Sequence, residues 1–196
     1  MPLWGATDAD ESKPKNLTTA EQKEVYATGG GWVREAGSIW SGNDNASADP
    51  EVLVAISNLS TSLGAADVTG VEWITTTADK SAGFTLSVRV RYNESVDVTG
   101  SPTLAVTNGN EGSSSGRGPH TLVYASGTGS NELVFSLAIA AANNATNAND
   151  VLTIGAQNVL KPGGATIKDA SGTATDSAVA ISGAQGTAAG SITVVA

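Results

Sequence analysis

A chain of 196 residues with 23 Gly, 15% charged residues and 5% aromatics suits one domain of short strands and many turns, and it excludes a helical bundle, which needs Leu, Glu, Lys and Arg in quantity. The formal charge of −9, with its ten basic residues scattered, leaves no basic stripe for nucleic acid or an anionic membrane surface. The lack of cysteine excludes disulfides and thiolate metal sites, so stability must come from packing or from assembly.

The chain opens on "MPLWG" and then turns polar at once. No basic start with an apolar run follows, so a signal peptide is not expected. Chain ends fray unless something ties them down, so Leu3 and Trp4 at the tip are expected to meet a partner. In "NLTTAEQKEVY" Thr18 with Glu21, or Thr19 with Gln22, makes a capping box that predicts a short helix over 19–27, stopped by "TGGGW". "GWVREAGSIW" sets Trp32 and Trp40 at either end of two short extended pieces, and "SGNDNASADP" reads as a polar loop. "EVLVAISNLSTSLG" fits a buried strand and turn about as well as one short helix, with the strand preferred. Three of the four Trp fall in this first quarter, which looks too small and glycine-rich to make a core alone. Residues 1–64 are therefore expected to form an extended arm with little regular structure, and Leu3, Trp4, Trp32 and Trp40 to be its partner-binding anchors. The competing expectation is that these indoles fold back onto their own chain.

From Val71 the pattern has period two. In "FTLSVRVRY" Leu86, Val88, Val90 and Tyr92 share one face while Thr85, Ser87, Arg89 and Arg91 share the other. "PTLAVT" puts Leu104 and Val106 inward, and "ELVFSLAI" does the same with Leu133, Phe135, Leu137 and Ile139. The loop "GTGSN" predicts a hairpin between strands Leu122 to Ser126 and Glu132 to Ile139. Further strands are expected at 71–75, 96–98, 151–154, 165–169, 178–182 and 191–195. Short strands at intervals of roughly ten residues predict an all-β fold with a β-sandwich over 65–196.

Catalytic chemistry is sparse. The single His, His120, lies in "GRGPHTLVY" with no nucleophile elbow nearby, and is expected at a solvent-facing strand start rather than in a triad. The acids fall mainly in loops, with few aromatics to line a sugar cleft. Asp169 in "IKDASG" suits a turn better than a loop calcium site. "GNEGSSSGRG" opens no helix and so lacks phosphate-cradling geometry. No catalytic residue, cofactor or metal is expected, and the chain reads as something other than an enzyme.

The stretch "GFTLSVRVRYNESVDVTGSPTLAVTNG", followed by "LVYASGTGSNELVFSLAIA" and "GATIKDASG", resembles the bacterial immunoglobulin-like repeats of large surface adhesins. That resemblance covers about 100 residues and implies an immunoglobulin-like sandwich with an adhesive or spacing role. "MPLWG", "DESKPKNLT", "EVYAT" and "GWV" resemble the opening of small virion structural proteins from tailed phages of marine cyanobacteria and other marine bacteria. The second resemblance implies an assembly element at the N-terminus. Together they imply a phage structural protein, made in the host cytoplasm and carried on the virion, whose arm docks on the major capsid protein or another virion protein and which self-associates on the particle. Capsid decoration is the leading expectation. A neck, tail or fibre component, or an adhesin module that binds a host-surface glycan, is the alternative.

Overall fold

The computed structural model describes Pro14 and residues 16–110, 118–142, 146–171 and 174–196. Within them the protein is all-β, as composition and period-two runs predict.

The leading quarter holds α1 (Thr19–Gln22), β1 (Val25–Thr28), β2 (Gly31–Arg34), β3 (Glu51–Ala55) and α2 (Leu59–Ser62), separated by turns and loops. The capping box at Thr18 forms: its hydroxyl accepts from the Glu21 N–H at 3.3 Å, and the Glu21 carboxylate accepts from the Thr18 N–H at 2.8 Å. The helix nevertheless stops at Gln22 instead of reaching residue 27. One isolated turn gains little against the cost of helix nucleation, whereas Val25 and Tyr26 suit a strand and the glycines that follow turn it back. β1 and β2 pair from Val25↔Arg34 to Thr28↔Gly31. Gly31 has φ +131°, and a Cβ there would meet the Val54 carbonyl at 2.0 Å, so no larger residue fits between β2 and β3. β3 completes a meander by pairing with β2. Val25, Ala27, Trp32 and Leu59 form a small core, against which Leu17, Leu53, Val54, Ile56 and Leu63 pack.

The rest of the chain contributes β4 (Val68–Trp73), β5 (Ala78–Asp79), β6 (Phe84–Thr99), β7 (Thr103–Asn108), β8 (His120–Ser126), β9 (Ser130–Ile139) and β10 (Val151–Thr153). It continues with β11 (Gln157–Asn158), β12 (Thr166–Asp169), β13 (Ala180–Ile181), α3 (Gly183–Ala189) and β14 (Ser191–Val195). β6 organises them. Its first half lies antiparallel to β4 and β9, with Leu86 opposite Leu137 and Val90 opposite Leu133. Leu86, Val88, Val90 and Tyr92 are all fully buried, on the face that alternation predicts. The register shifts between Arg91 and Val96, after which the strand pairs with β12 and meets β1 at Ala27↔Glu94. The strand expected at 96–98 is thus the far end of β6.

From β9 the hydrogen-bonded path runs through β8, β7, β10 and β14 to β5. Only residues 80–83 separate β5 from β6, so the path must fold over and return to its start. The side chains inside it, including Leu104, Val106, Leu122, Phe135, Leu152, Ile167 and Val194, make one core. β8 and β9 form the expected hairpin. The segment 178–182 departs from expectation: only Ala180 and Ile181 are extended, paired with β11, and α3 follows directly.

Candidate functional site

Among the described residues of the leading quarter, the most exposed large apolar side chains lie around one corner of the meander. Ile39 is 80% exposed, Trp40 45% and Val52 62%. The turn between β2 and β3 carries the first two. It is built by Gly37, whose φ of +73° and close approach to the Ala46 backbone leave no room for a side chain, and by Ser38, whose hydroxyl donates to the buried Glu24 and accepts from the Trp40 N–H at 3.2 Å. Arg34 then ties the turn to β3: its Nη1 donates to the Trp40 carbonyl at 2.9 Å and to the Glu51 carboxylate at 3.2 Å. Glu51 precedes Val52 on β3, which bonds to β2 on one side and, among the described residues, ends the sheet on the other.

Two consequences follow from that geometry. The Trp40 main chain is held at both its N–H and its carbonyl, so the turn that carries the indole has little backbone freedom left to lose when a partner covers it. An edge strand with apolar side chains and unpaired backbone groups is also the kind of surface that another chain can extend. The corner therefore offers both an aromatic anchor and an open edge.

A charged network joins the meander to the main sheet. Arg91, which alternation places on the wet face of β6, is only 4% exposed because the meander covers that end. It bonds to Glu35 after β2, to Glu72 on β4 at 2.9 Å and to Glu132 on β9 at 2.6 Å. Burial works against the charge of Glu72, but Arg91, Lys23 and Arg89 outweigh it and hold the carboxyl below its usual range. At Glu35 burial prevails over Arg91, and the nearby Glu132 adds to it, so that carboxyl is raised. The network is an internal strut.

A second feature is an open groove of about 1020 Å³ along the outer side of β4, lined by small residues of α3 and by Trp73, Asn93 and Gln185. Gln185 donates from Nε2 to the Val68 carbonyl at 2.9 Å, so α3 shields part of that strand edge.

The expected anchors separate in the fold. Trp40 is presented outward, while Trp32 is 1% exposed and is the largest side chain of the meander core. Trp32 therefore serves the fold of its own chain, because the hairpin and α2 provide a pocket that the glycine-rich sequence does not advertise. Leu3 and Trp4 lie outside the described residues, as does most of the loop 109–118. His120 is buried rather than solvent-facing, its Nε2 3.4 Å from the Thr146 hydroxyl. Asp169 forms a turn, accepting from the Ser171 N–H at 2.7 Å and lying 2.9 Å from its hydroxyl. Among the described residues no group of three or more His, Cys, Asp or Glu is placed to hold a metal ion. Residues that sequence reasoning missed are Ile39 and Val52; the isolated apolar pair Ile39 and Trp40 beside a run of polar loop residues was the available signal. No family model matches the chain, and no characterised protein or solved structure matches it either.

Proposed function

We propose that this chain is a phage virion structural protein, foremost a capsid decoration protein that docks on the head lattice through its leading quarter and displays the β-domain outward. The observation that carries the reading is the corner of Ile39, Trp40 and Val52 beside the open edge of β3. A monomeric protein gains nothing by presenting an indole to water on a fixed turn, whereas a central aromatic anchor is the commonest form of interface hot spot. On a repetitive lattice many such contacts add by avidity, especially where neighbouring copies touch. The resemblance of the N-terminal residues to phage virion proteins supports the same reading, with Leu3 and Trp4 as further anchors and the major capsid protein as the receiving partner.

Trp40→Ala tests it. The side chain is half exposed, so the variant should unfold at the same denaturant midpoint as the parent, while docking weakens by about 2 kcal/mol or more. The measurement is the copy number per purified particle, by quantitative mass spectrometry, with the deletion of residues 1–15 as a parallel arm. Hundreds of copies for the parent and a sharp drop for both variants would support decoration; unchanged incorporation of both would reject docking through the leading quarter. About six or twelve copies would shift the reading to a neck or tail component. A host-surface glycan-binding module is the second reading, favoured by the groove that Trp73 lines. Glycan binding by the purified chain that is lost in Trp73→Ala would support it.

A further inference from the structure

The joint between the meander and the main sheet contains a hydrogen-bond arrangement that is short of protons. The Ser171 hydroxyl lies 2.6 Å from the Ser60 carbonyl of α2, 2.9 Å from Asp169 Oδ1 at the end of β12, and 3.2 Å from Glu94 Oε2 on β6. One hydroxyl carries one hydrogen, so it serves at most one of these acceptors well. Glu94 is fully buried, and among the described residues its second oxygen, Oε1, has no hydrogen-bond partner. The charged groups that face it are Asp169 on β12 and Asp67 just before β4, both acidic, and among the described residues no cation pairs with it. Two carboxylates and a carbonyl around a single donor are unstable unless one carboxyl brings a hydrogen of its own.

We propose that Glu94 is a proton-operated latch: as the neutral acid it donates to the Ser171 oxygen, which leaves the Ser171 hydrogen for Ser60 and ties α2 to the main sheet, and on ionisation the tie is lost. Glu94 also sits where β6 meets β1 at Ala27, and Leu59 beside Ser60 belongs to the core around Trp32. Release of α2 therefore loosens the meander while the main sheet stays intact. Burial, then the charge of Asp169, pushes the Glu94 carboxyl up to about 7, which places the transition near neutral pH. The sign is fixed: a carboxyl raised in the folded state contributes fully at pH below its ordinary value of about 4.5, and the contribution is gone once pH exceeds the raised value. The latch goes beyond the docking proposal and does not depend on it.

Amide hydrogen exchange on the full chain at pH 5 and pH 8, corrected for intrinsic rates, tests the latch. Protection of the β1 amides and of Leu63, whose N–H donates to the Leu59 carbonyl of α2, should fall by about tenfold or more at the higher pH, while β9 amides change little. Glu94→Gln, whose amide keeps a donor at every pH, should abolish the difference, and Ser171→Ala should leave β1 and Leu63 as weakly protected at pH 5 as the parent is at pH 8. Equal protection of the parent at both pH values, or a pH difference that persists in Glu94→Gln, would overturn the proposal. So would full restoration of the parent at pH 8 by millimolar calcium, which would make the missing positive charge a metal ion and not a proton.

Discussion

Arg91 shows how one residue can be decided by its neighbours. Alternation along β6 assigns it to the solvent face, yet three carboxylates from three separate segments enclose it. Replacing it removes the cation all three share: Arg89 still reaches Glu72 at 3.1 Å and Glu132 at 3.3 Å, but Glu35, partly out of water, loses its ion pair. Arg91→Ala should therefore cost about 3 kcal/mol or more, read as a lower urea midpoint, and Arg91→Lys should recover only part of it because an ammonium lacks the planar fork that reaches several carboxylates. A loss below about 1 kcal/mol would mean that the network behaves like an exposed ion pair. Glu72 adds a pH signature. Its carboxyl is lowered in the folded state, so its contribution is present above the ordinary carboxylate value and fades as pH falls through the lowered one. In acid titrations the parent should lose stability over that window, and Arg91→Ala should lose less.

At the scale of an element, α3 is the clearest case. The residue pattern predicts separate strands at 178–182 and 191–195 and assigns nothing to the residues between them, where the chain makes two helical turns. The signal was present in Ser182 and Gln185, which form a reciprocal capping box: the Ser182 hydroxyl accepts from the Gln185 N–H at 3.2 Å, and Gln185 Oε1 accepts from the Ser182 N–H at 2.7 Å. The helix packs so closely that a Cβ on Gly186 would sit 2.2 Å from the Ile154 carbonyl, whereas one on Gly183 would meet nothing nearer than the Ala156 Cβ at 3.9 Å. Gly186→Ala must push the helix off the sheet and should destabilise by about 1–3 kcal/mol. Gly183→Ala should be neutral or stabilise by a few tenths to about 1 kcal/mol through helix propensity. Thermal denaturation of the pair checks the contact, since equal melting temperatures would show that α3 is not seated there.

For the molecule as a whole, two separate cores set the order in which it comes apart. The cluster around Trp32 is small, and it joins the rest through the Arg91 network, the Ala27↔Glu94 pairing and the Ser171 contacts. The main core draws on every strand from β4 to β14 except β11. Local opening should therefore begin in the meander. Leu59→Ala, which leaves a cavity beside Trp32 at a cost of about 2–5 kcal/mol, should make residues 16–64 sensitive to protease while a fragment beginning near Ala66 resists. Digestion of both regions at one rate would show a single cooperative unit.

The all-β class, the inward faces of β6 and β9 and the β8–β9 hairpin could be read directly from the residues, because alternation and turn chemistry act over a few neighbours and leave a periodic trace. The anchors could be read only in part. Trp40 and Trp32 sit eight residues apart in similar glycine-flanked company, and nothing local separates an indole that fills a pocket from one that faces water. That distinction depends on where α2 and the β2–β3 turn come to rest, as do the burial of Arg91 and the shared hydroxyl at Glu94. Each of these results from segments far apart in the chain meeting in space. Local composition and spacing determined which elements form, and long-range packing decided which side chains remain available to other molecules.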